Sequence, residues 1–289
     1  MVELLSDTTI LDETAAEISR ILGQDADRIT IERVVIGLFF TGVKLSTGVA
    51  GACATPLRTI PEAVCCPSSA MAMPFPGKLR GRSALDFMKE AGARGGIRRA
   101  VGIAVMNALA DMCWDRRPHP AVELRLGVDA YDAADIKSGD YVVVVGAFVP
   151  FLRALKQAGQ KFTVLEMDAR TLKPDEMQFF RPADQAPAVV PSADVVLITG
   201  TTLINGTLEG LIGLCRPDAR IVVVGPTVSL LPDAFLRRGV DVLGSVRVTA
   251  PDEFLDVLSE GGSGYHFFGH SAEKVVLVRK LPKLALMAA

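Results

Sequence analysis

Val195 to Glu209 read VVLITGTTLINGTLE, and this stretch decides the fold. An apolar run ends at Thr199, and a helical pattern begins at Leu208 and continues to Leu214. Continuous apolar runs of this length are typical of buried parallel strands, and ligands of open α/β sheets bind beyond the carboxyl ends of such strands. The stretch therefore predicts a strand, a ligand-binding turn and a helix. Helix capping alone would explain only about two of the polar residues.

The first candidate ligand-binding group is the set of hydroxyl, amide and glycine residues in that turn. Its members are Thr199, Gly200, Thr201, Thr202, Asn205, Gly206 and Thr207.

The composition bounds the class of protein. The chain has 289 residues, of which 49% are apolar, with 31 Lys and Arg against 33 Asp and Glu. This length fits two domains, and the large apolar fraction favours a homo-oligomer, which we expect to be a homodimer. The nearly cancelled charge predicts no nucleic-acid or membrane-surface partner. The five cysteines are expected to be thiols in a cytoplasmic protein without signal peptide or membrane span.

The pattern changes along the chain at residues 114–120, WDRRPHP. Before it, helical and β-rich segments surround a proline-rich stretch at residues 55–81. After residue 137, strands alternate with helices, which predicts a parallel sheet with right-handed crossovers. The predicted class is α/β, with a smaller α+β domain at residues 1–118 and a Rossmann-like α/β domain at residues 119–289.

Two further strand ends carry candidate ligand residues. Gly146 and Phe148 follow the first strand of the second domain, and Glu166 and Asp168 end the next one. This spacing is close to that between a phosphate-binding turn and a ribose-binding acid. The turn GAFVPF lacks a G-x-G-x-x-G pattern, however, so ordinary NAD binding is not expected. The acids either bind a ligand or face water at a strand end.

The segment that follows the predicted strand at residues 221–224 is the third candidate. Gly225, Pro226, Thr227 and Ser229 place hydroxyls beside the Thr199–Thr207 cluster if the two strands are neighbours. The alternative is a simple strand-to-helix loop with a capping hydroxyl.

Four segments together resemble one known family. GLFFTGVKL at 37–45, followed by GVA at 48–50, resembles the N-terminal signature of the "putative heavy-metal chelation" family. TGTTLINGTLE at 199–209 and VGPTVSLLP at 224–232 resemble its C-terminal signatures. The resemblance implies an enolase-N-terminal-like domain joined to a Rossmann-like domain. It also implies a site between the domains, in which Thr41 and Lys44 face the strand ends. Lys44 either extends to the surface or anchors an anionic ligand.

Metal ligands are sparse in the sequence. No C-x-x-C or H-E-x-x-H pattern occurs, so a preformed tetrahedral zinc site is not expected. Cys65 and Cys66 are adjacent and either bind a soft ion directly or act as small apolar side chains. The cofactor is not identified by the sequence; a metal ion or a metal complex that brings its own chelator agrees with the resemblance.

The sequence thus predicts a protein that binds a small anionic or metal-chelating organic ligand between its domains. The alternative is a Rossmann-class enzyme that uses a nucleoside-bearing cofactor to modify a small molecule. The sequence does not decide whether the chain is an enzyme.

Overall fold

The computed structural model describes residues 8–59, 75–280 and 283, and these divide into two compact units. Unit 1 comprises Met1–Pro120, Pro226–Ala234 and Ser245–Lys274, and unit 2 comprises Ala121–Gly225, Phe235–Gly244 and Val275–Ala289. Two segments late in the chain, Pro226–Ala234 and Ser245–Lys274, therefore belong to the same unit as the N-terminal residues. The sequence pattern did not predict this grouping. The predicted division at residue 118 stays a prediction.

The helices are named in chain order. They are α1 (Ile10–Leu22), α2 (Ala84–Lys89), α3 (Gly96–Arg116), α4 (Ala130–Ala133), α5 (Val149–Gln157), α6 (Ala186–Val189), α7 (Thr201–Asn205), α8 (Leu208–Leu214), α9 (Asp233–Arg237), α10 (Pro251–Ser259) and α11 (Gly264–Phe267). None of them is long and apolar enough, among the described residues, to cross a membrane.

The strands follow the same order. They are β1 (Ile31–Ile36), β2 (Phe40–Leu45), β3 (Ala50–Ala54), β4 (Val122–Leu126), β5 (Tyr141–Val145), β6 (Lys161–Glu166), β7 (Phe180–Pro182), β8 (Val195–Thr199), β9 (Arg220–Val224), β10 (Val242–Val248) and β11 (Ala272–Arg279).

Unit 1 contains an antiparallel sheet in the order β1-β2-β3. Small residues let helices lie close to both of its faces. A Cβ at Gly51 would overlap the carbonyl oxygen of Ala104 in α3, and one at Gly42 would overlap the Leu255 side chain of α10. Close approach of this kind is a common reason for glycine within a strand. The sheet is therefore packed between α3 and α10.

The larger sheet has the strand order β4-β11-β10-β9-β8-β5-β6-β7. The pairs from β10 through β7 are parallel. The apolar runs at Val142–Val145 and Val195–Ile198 are buried in its centre, as expected for strands covered on both faces. The predicted α/β class is confirmed: the larger sheet is mainly parallel, and the structure adds a smaller antiparallel sheet in unit 1.

One edge of this sheet departs from the predicted parallel pattern. The last strand of the sheet, β11, pairs antiparallel with β4. Strand β4 was not predicted, because its residues Glu123, Leu124 and Leu126 are exposed and it has no continuous apolar run. The boundaries between the two units fall within β10 and β11.

Candidate functional site

The strand order of the larger sheet reverses between β5 and β8, whose carboxyl ends lie side by side. Gly146 follows β5 with a φ of 99°, and Gly225 follows β9 with a φ of 134°. These angles favour glycine. A Cβ at Gly146 would lie only 3.0 Å from Cγ2 of Thr199. Backbone and a threonine side chain are thus in close contact where ligands of this class of sheet usually bind.

The hydroxyls beyond β8 form a small surface cluster. The Thr199 and Thr201 hydroxyl oxygens are 3.1 Å apart, and the Thr201 side chain is exposed. Thr202 differs from them, because it is buried and its hydroxyl donates to the Thr199 carbonyl oxygen at 2.6 Å. Gly200 donates its N–H to the Val224 carbonyl oxygen at 2.7 Å, which ties β8 to β9.

The next residues reverse the chain between two short helices. Gly206 ends α7 with a φ of 72°, and Thr207 precedes α8. The Asn205 Oδ1 accepts hydrogen bonds from the backbone N–H of Thr207 at 3.2 Å and from its hydroxyl at 2.7 Å. All three residues are exposed. Thr201, Asn205, Gly206 and Thr207 therefore lie at the surface, whereas Thr202 is an internal hydrogen-bond donor; their predicted role as ligand residues stays a prediction.

The two predicted acids are held by local hydrogen bonds. Glu166 accepts backbone N–H groups from Ala147 at 3.0 Å, Met167 at 2.7 Å and Asp168 at 3.1 Å. Asp168 accepts two hydrogen bonds, both of 2.9 Å, from the Arg170 guanidinium. Each carboxylate thus has a structural task in shaping its turn. The predicted ribose-binding role stays a prediction.

Phe148 belongs to the core of unit 2 more than to its surface. Its ring stacks on that of Phe151 with centroids 5.1 Å apart, and the residue precedes α5. Its N–H donates to the Gly146 carbonyl oxygen at 3.0 Å. The Phe148 side chain therefore closes the turn after β5 on its apolar side.

A second polar cluster lies in unit 1 and is buried. Thr41 is opposite Cys53 in the β2–β3 pairing, and its hydroxyl lies 3.0 Å from that of Thr55. The Thr227 hydroxyl accepts the N–H of Ala54 at 3.1 Å. Thr41 and Thr227, both predicted ligand residues, thus bond to neighbouring residues at the end of β3, but both are shielded from solvent.

Asn107 holds this cluster in place, and the sequence analysis missed it. It is 1% exposed, and its Nδ2 donates to the carbonyl oxygens of Ala52 at 2.7 Å and of Pro226 and Thr227 at 3.1 Å each. The available signal was a lone amide among the apolar residues of α3. Ser229 completes the segment by accepting the N–H of Val246 at 3.1 Å. Pro226, Thr227 and Ser229 therefore have structural bonds within unit 1.

Lys44 is held by two carboxylates of its own unit. Its ammonium lies 2.9 Å from both carboxylate oxygens of Asp252 and 3.0 Å from Oε1 of Glu32. Hydrogen bonds to Asp252 and then to Glu32 raise the pKa of Lys44 above its ordinary value. An ammonium has three N–H donors, and these contacts use all of them. Its predicted role as a ligand anchor stays a prediction.

The thiols that the structure describes are poorly suited to metal binding. Burial raises the pKa of Cys53 and of Cys113 to about 12, and that of Cys215 to about 11. Metals bind the thiolate, which these values disfavour near neutral pH. Within the described ranges, no group of three or more His, Cys, Asp or Glu residues is placed to hold one metal ion. Cys65 and Cys66 lie outside the described residues.

Comparisons with known proteins place the chain in a family. The family model DUF364, described as "putative heavy-metal chelation", matches residues 129–277, and the model DUF4213, with the same description, matches residues 19–110. An uncharacterised protein of Methanocaldococcus jannaschii is 27% identical over 196 residues, which cover 64% of this chain and 68% of that protein.

Two solved structures share the fold. A DUF364-family protein of unknown function from Pyrococcus horikoshii has a TM-score of 0.71 at 19% identity, covering 93% of this chain and 99% of its own. Another from Desulfitobacterium hafniense has a TM-score of 0.68 at 16% identity, covering 92% and 99%. Since the first family model spans more than half of the chain, the protein belongs to the DUF364 family, described as "putative heavy-metal chelation".

Proposed function

We propose that the chain binds a small polar organic ligand, in the form of a metal chelate, at the carboxyl ends of β5, β8 and β9. The observation that carries this proposal is the hydroxyl pair of the half-buried Thr199 and the exposed Thr201 beside Gly146, at the reversal of strand order. Such reversals are where open α/β sheets bind ligands.

The chemistry of the cluster suits an oxygen-rich ligand. Each threonine hydroxyl both donates and accepts hydrogen bonds, and the Asn205 Oδ1 is already engaged with Thr207, which directs the Asn205 amide hydrogens to other acceptors. Gly225 adds no Cβ, so a ligand can approach the backbone there, whereas the missing Cβ of Gly146 makes room for the Thr199 side chain. Carboxylate and hydroxyl groups of an organic chelator fit these donors and acceptors.

The donor set also favours a complexed metal over a bare ion. Soft metals prefer thiolate ligands, and burial keeps the Cys53, Cys113 and Cys215 thiols protonated near neutral pH. A chelator that fills most coordination positions needs only hydrogen bonds from the protein. This links the family description to the hydroxyl-rich strand ends.

Isothermal titration calorimetry tests the proposal with three probes: cobalt(II) citrate, citrate alone and cobalt(II) chloride. We expect the chelate to bind more tightly than either component. Thr201→Val, which removes one exposed hydroxyl and preserves shape, should weaken chelate binding about tenfold, because a hydrogen bond to a charged group contributes about 1.5 kcal/mol or more.

Ser192→Ala is the matched control, since it removes an exposed hydroxyl before the opposite, amino end of β8. It should leave the affinity unchanged. Equal binding of cobalt(II) chloride and the chelate, or an unchanged affinity in Thr201→Val, would contradict the proposal. The predicted cleft between the two domains, with Thr41 and Lys44 on one side, stays a separate prediction.

A further inference from the structure

Strand β4 forms one edge of the larger sheet, and no strand of the described residues lies beyond it. Leu124 is 44% exposed and Leu126 is 50% exposed, which is unusual for two leucines on one short strand. An edge strand presents backbone donors and acceptors to any chain that can pair with it. The question is which chain fits this edge.

The pairing of β4 with β11 determines which backbone groups of β4 point outward. The N–H of Lys280 donates to the carbonyl oxygen of Ala121 at 2.9 Å, just before β4. In antiparallel pairs, alternate residues bond to the neighbouring strand. Glu123 and Arg125 therefore direct their backbone groups toward β11, whereas Leu124 directs its N–H and C=O outward.

We infer that β4 pairs antiparallel with β4 of a second copy of this chain, with Leu124 on the two-fold axis. In this register Leu124 forms the hydrogen-bonded pair with the partner's Leu124, and Glu123 faces the partner's Arg125. The pairs of opposite charge occupy positions without backbone hydrogen bonds, where the side chains come closest. The charges are self-complementary, as a two-fold interface requires.

The charges also exclude the neighbouring registers. Only a shift of the pairing by two residues, or by a multiple of two, keeps the outward backbone groups of both copies facing each other. A shift by two residues moves the two-fold axis by one residue. Moving the axis to Arg125 places two guanidinium groups opposite each other, and moving it to Glu123 does the same with two carboxylates. Like charges directly opposite are destabilising. The sequence VELRL at 122–126 thus selects one register.

The same register covers the exposed leucines. Leu124 and Leu126 lie on the opposite face of the strand from Glu123 and Arg125, because side chains alternate. Two copies therefore bring their leucines together on one face of a continuous sheet. Val122 is buried, so the exposed part of the strand is short. Since stable interfaces cover about 800 Å² on each partner, we expect a dimer that dissociates on dilution.

In the single chain, the Glu123 carboxylate accepts two hydrogen bonds, of 3.0 and 2.9 Å, from the Arg125 guanidinium of the same chain. An arginine has five N–H donors, so it can serve both carboxylates. A test must nevertheless separate the contact within one chain from the contact between chains.

Sedimentation velocity of the full chain over a wide concentration range provides that test. Arg125→Glu and Glu123→Arg should each weaken dimerisation at least tenfold, because each places like charges across the axis. Mixing the two variants should restore a dimer, since the acidic strand then faces the basic one. Within each chain the charge pair stays broken, so only contacts between chains can produce this rescue.

Two controls accompany the mixture. The double variant Glu123→Arg/Arg125→Glu should dimerise like the original chain. Arg153→Glu, an exposed charge reversal on α5, should not alter association. A chain that stays monomeric at the highest concentration, a dimer that both single variants preserve, or a mixture without rescue would each overturn the inference.

Discussion

The two polar clusters contain the same kinds of residue but differ in burial. In unit 2, Thr201 and Asn205 are exposed beyond β8, and their bonds are to adjacent residues of the same segment. In unit 1, Thr227 and Asn107 are buried, and their bonds join segments far apart in sequence. The role of a threonine or asparagine in a polar turn is therefore ambiguous until its solvent exposure is known.

This difference in burial separates residues that can bind a ligand from residues that stabilise the fold. A buried amide that satisfies several carbonyl groups leaves them without partners when it is removed, and each buried unsatisfied group costs about 1–3 kcal/mol. An exposed amide is replaced by water at little cost. Equivalent substitutions in the two clusters should therefore have opposite consequences for folding and for ligand binding.

The largest effect is expected from Asn107→Ala. It removes the donor to the carbonyl oxygens of Ala52 and Thr227, while that of Pro226 still accepts from the Ser229 hydroxyl, and should lower the free energy of unfolding by about 3 kcal/mol. Urea denaturation measures this loss.

Asn205→Ala is the matched substitution in the exposed cluster. We expect it to change the free energy of unfolding by about 0.5 kcal/mol or less. Equal losses in the two variants would show that burial does not distinguish the clusters.

A smaller effect concerns Cys53, the buried thiol of the polar cluster in unit 1. Burial raises the pKa of Cys53 to about 12 from its ordinary value of 9.0, with smaller opposing effects from Thr227, Arg99 and Ala54. Above pH 9 the unfolded chain therefore releases a proton that the folded chain retains. Stability that is present below pH 9 should fall by about 1.4 kcal/mol for each pH unit between pH 9 and pH 12.

Denaturation of the original chain and of Cys53→Ala at pH 8, 9 and 10 isolates this contribution. Only the pH dependence of the difference matters, because the substitution itself removes packing. The original chain should lose about 1.4 kcal/mol more than the variant between pH 8 and pH 10, most of it above pH 9. Parallel curves would mean that Cys53 titrates alike in the folded and unfolded chains.

Sequence reasoning succeeded where structure is locally encoded. The strand Val195–Thr199 and the helix Leu208–Leu214 have the bounds that the pattern predicts, because an apolar run and a helical period are visible within one segment. The short helix α7 between them was missed, since TTLIN carries turn residues and too few positions to show a period. The edge strand β4 was missed for a different reason, because its exposed residues give no continuous apolar run.

Sequence reasoning was limited where bonding is non-local. Asn107 acts through carbonyl groups of Ala52 and Thr227, which come from different segments of the chain. The ion pair of Lys44 with Asp252 joins residues 208 positions apart. Spacing identifies a polar residue, but it does not tell whether a distant segment of the fold supplies its partner.

The smallest expected effect on stability concerns Lys44, whose substitution is compared with that of Thr201 in the exposed cluster. Its donors are engaged by Asp252 and Glu32, so we expect Lys44→Met to lower stability slightly and to leave cobalt(II) citrate binding unchanged. Thr201→Val should instead leave the stability nearly unchanged and weaken cobalt(II) citrate binding. Lys89→Met, which removes the exposed pair with Asp86 in the same unit, is the matched control for stability.

The salt dependence adds a second criterion. A structural role for Lys44 predicts that added salt reduces the stability difference between the original chain and Lys44→Met, because screening weakens the ion pair. A role in ligand binding predicts instead that Lys44→Met weakens chelate binding as strongly as Thr201→Val does. In that case the ammonium must leave its carboxylates when the ligand binds, and the structural interpretation of Lys44 would be wrong.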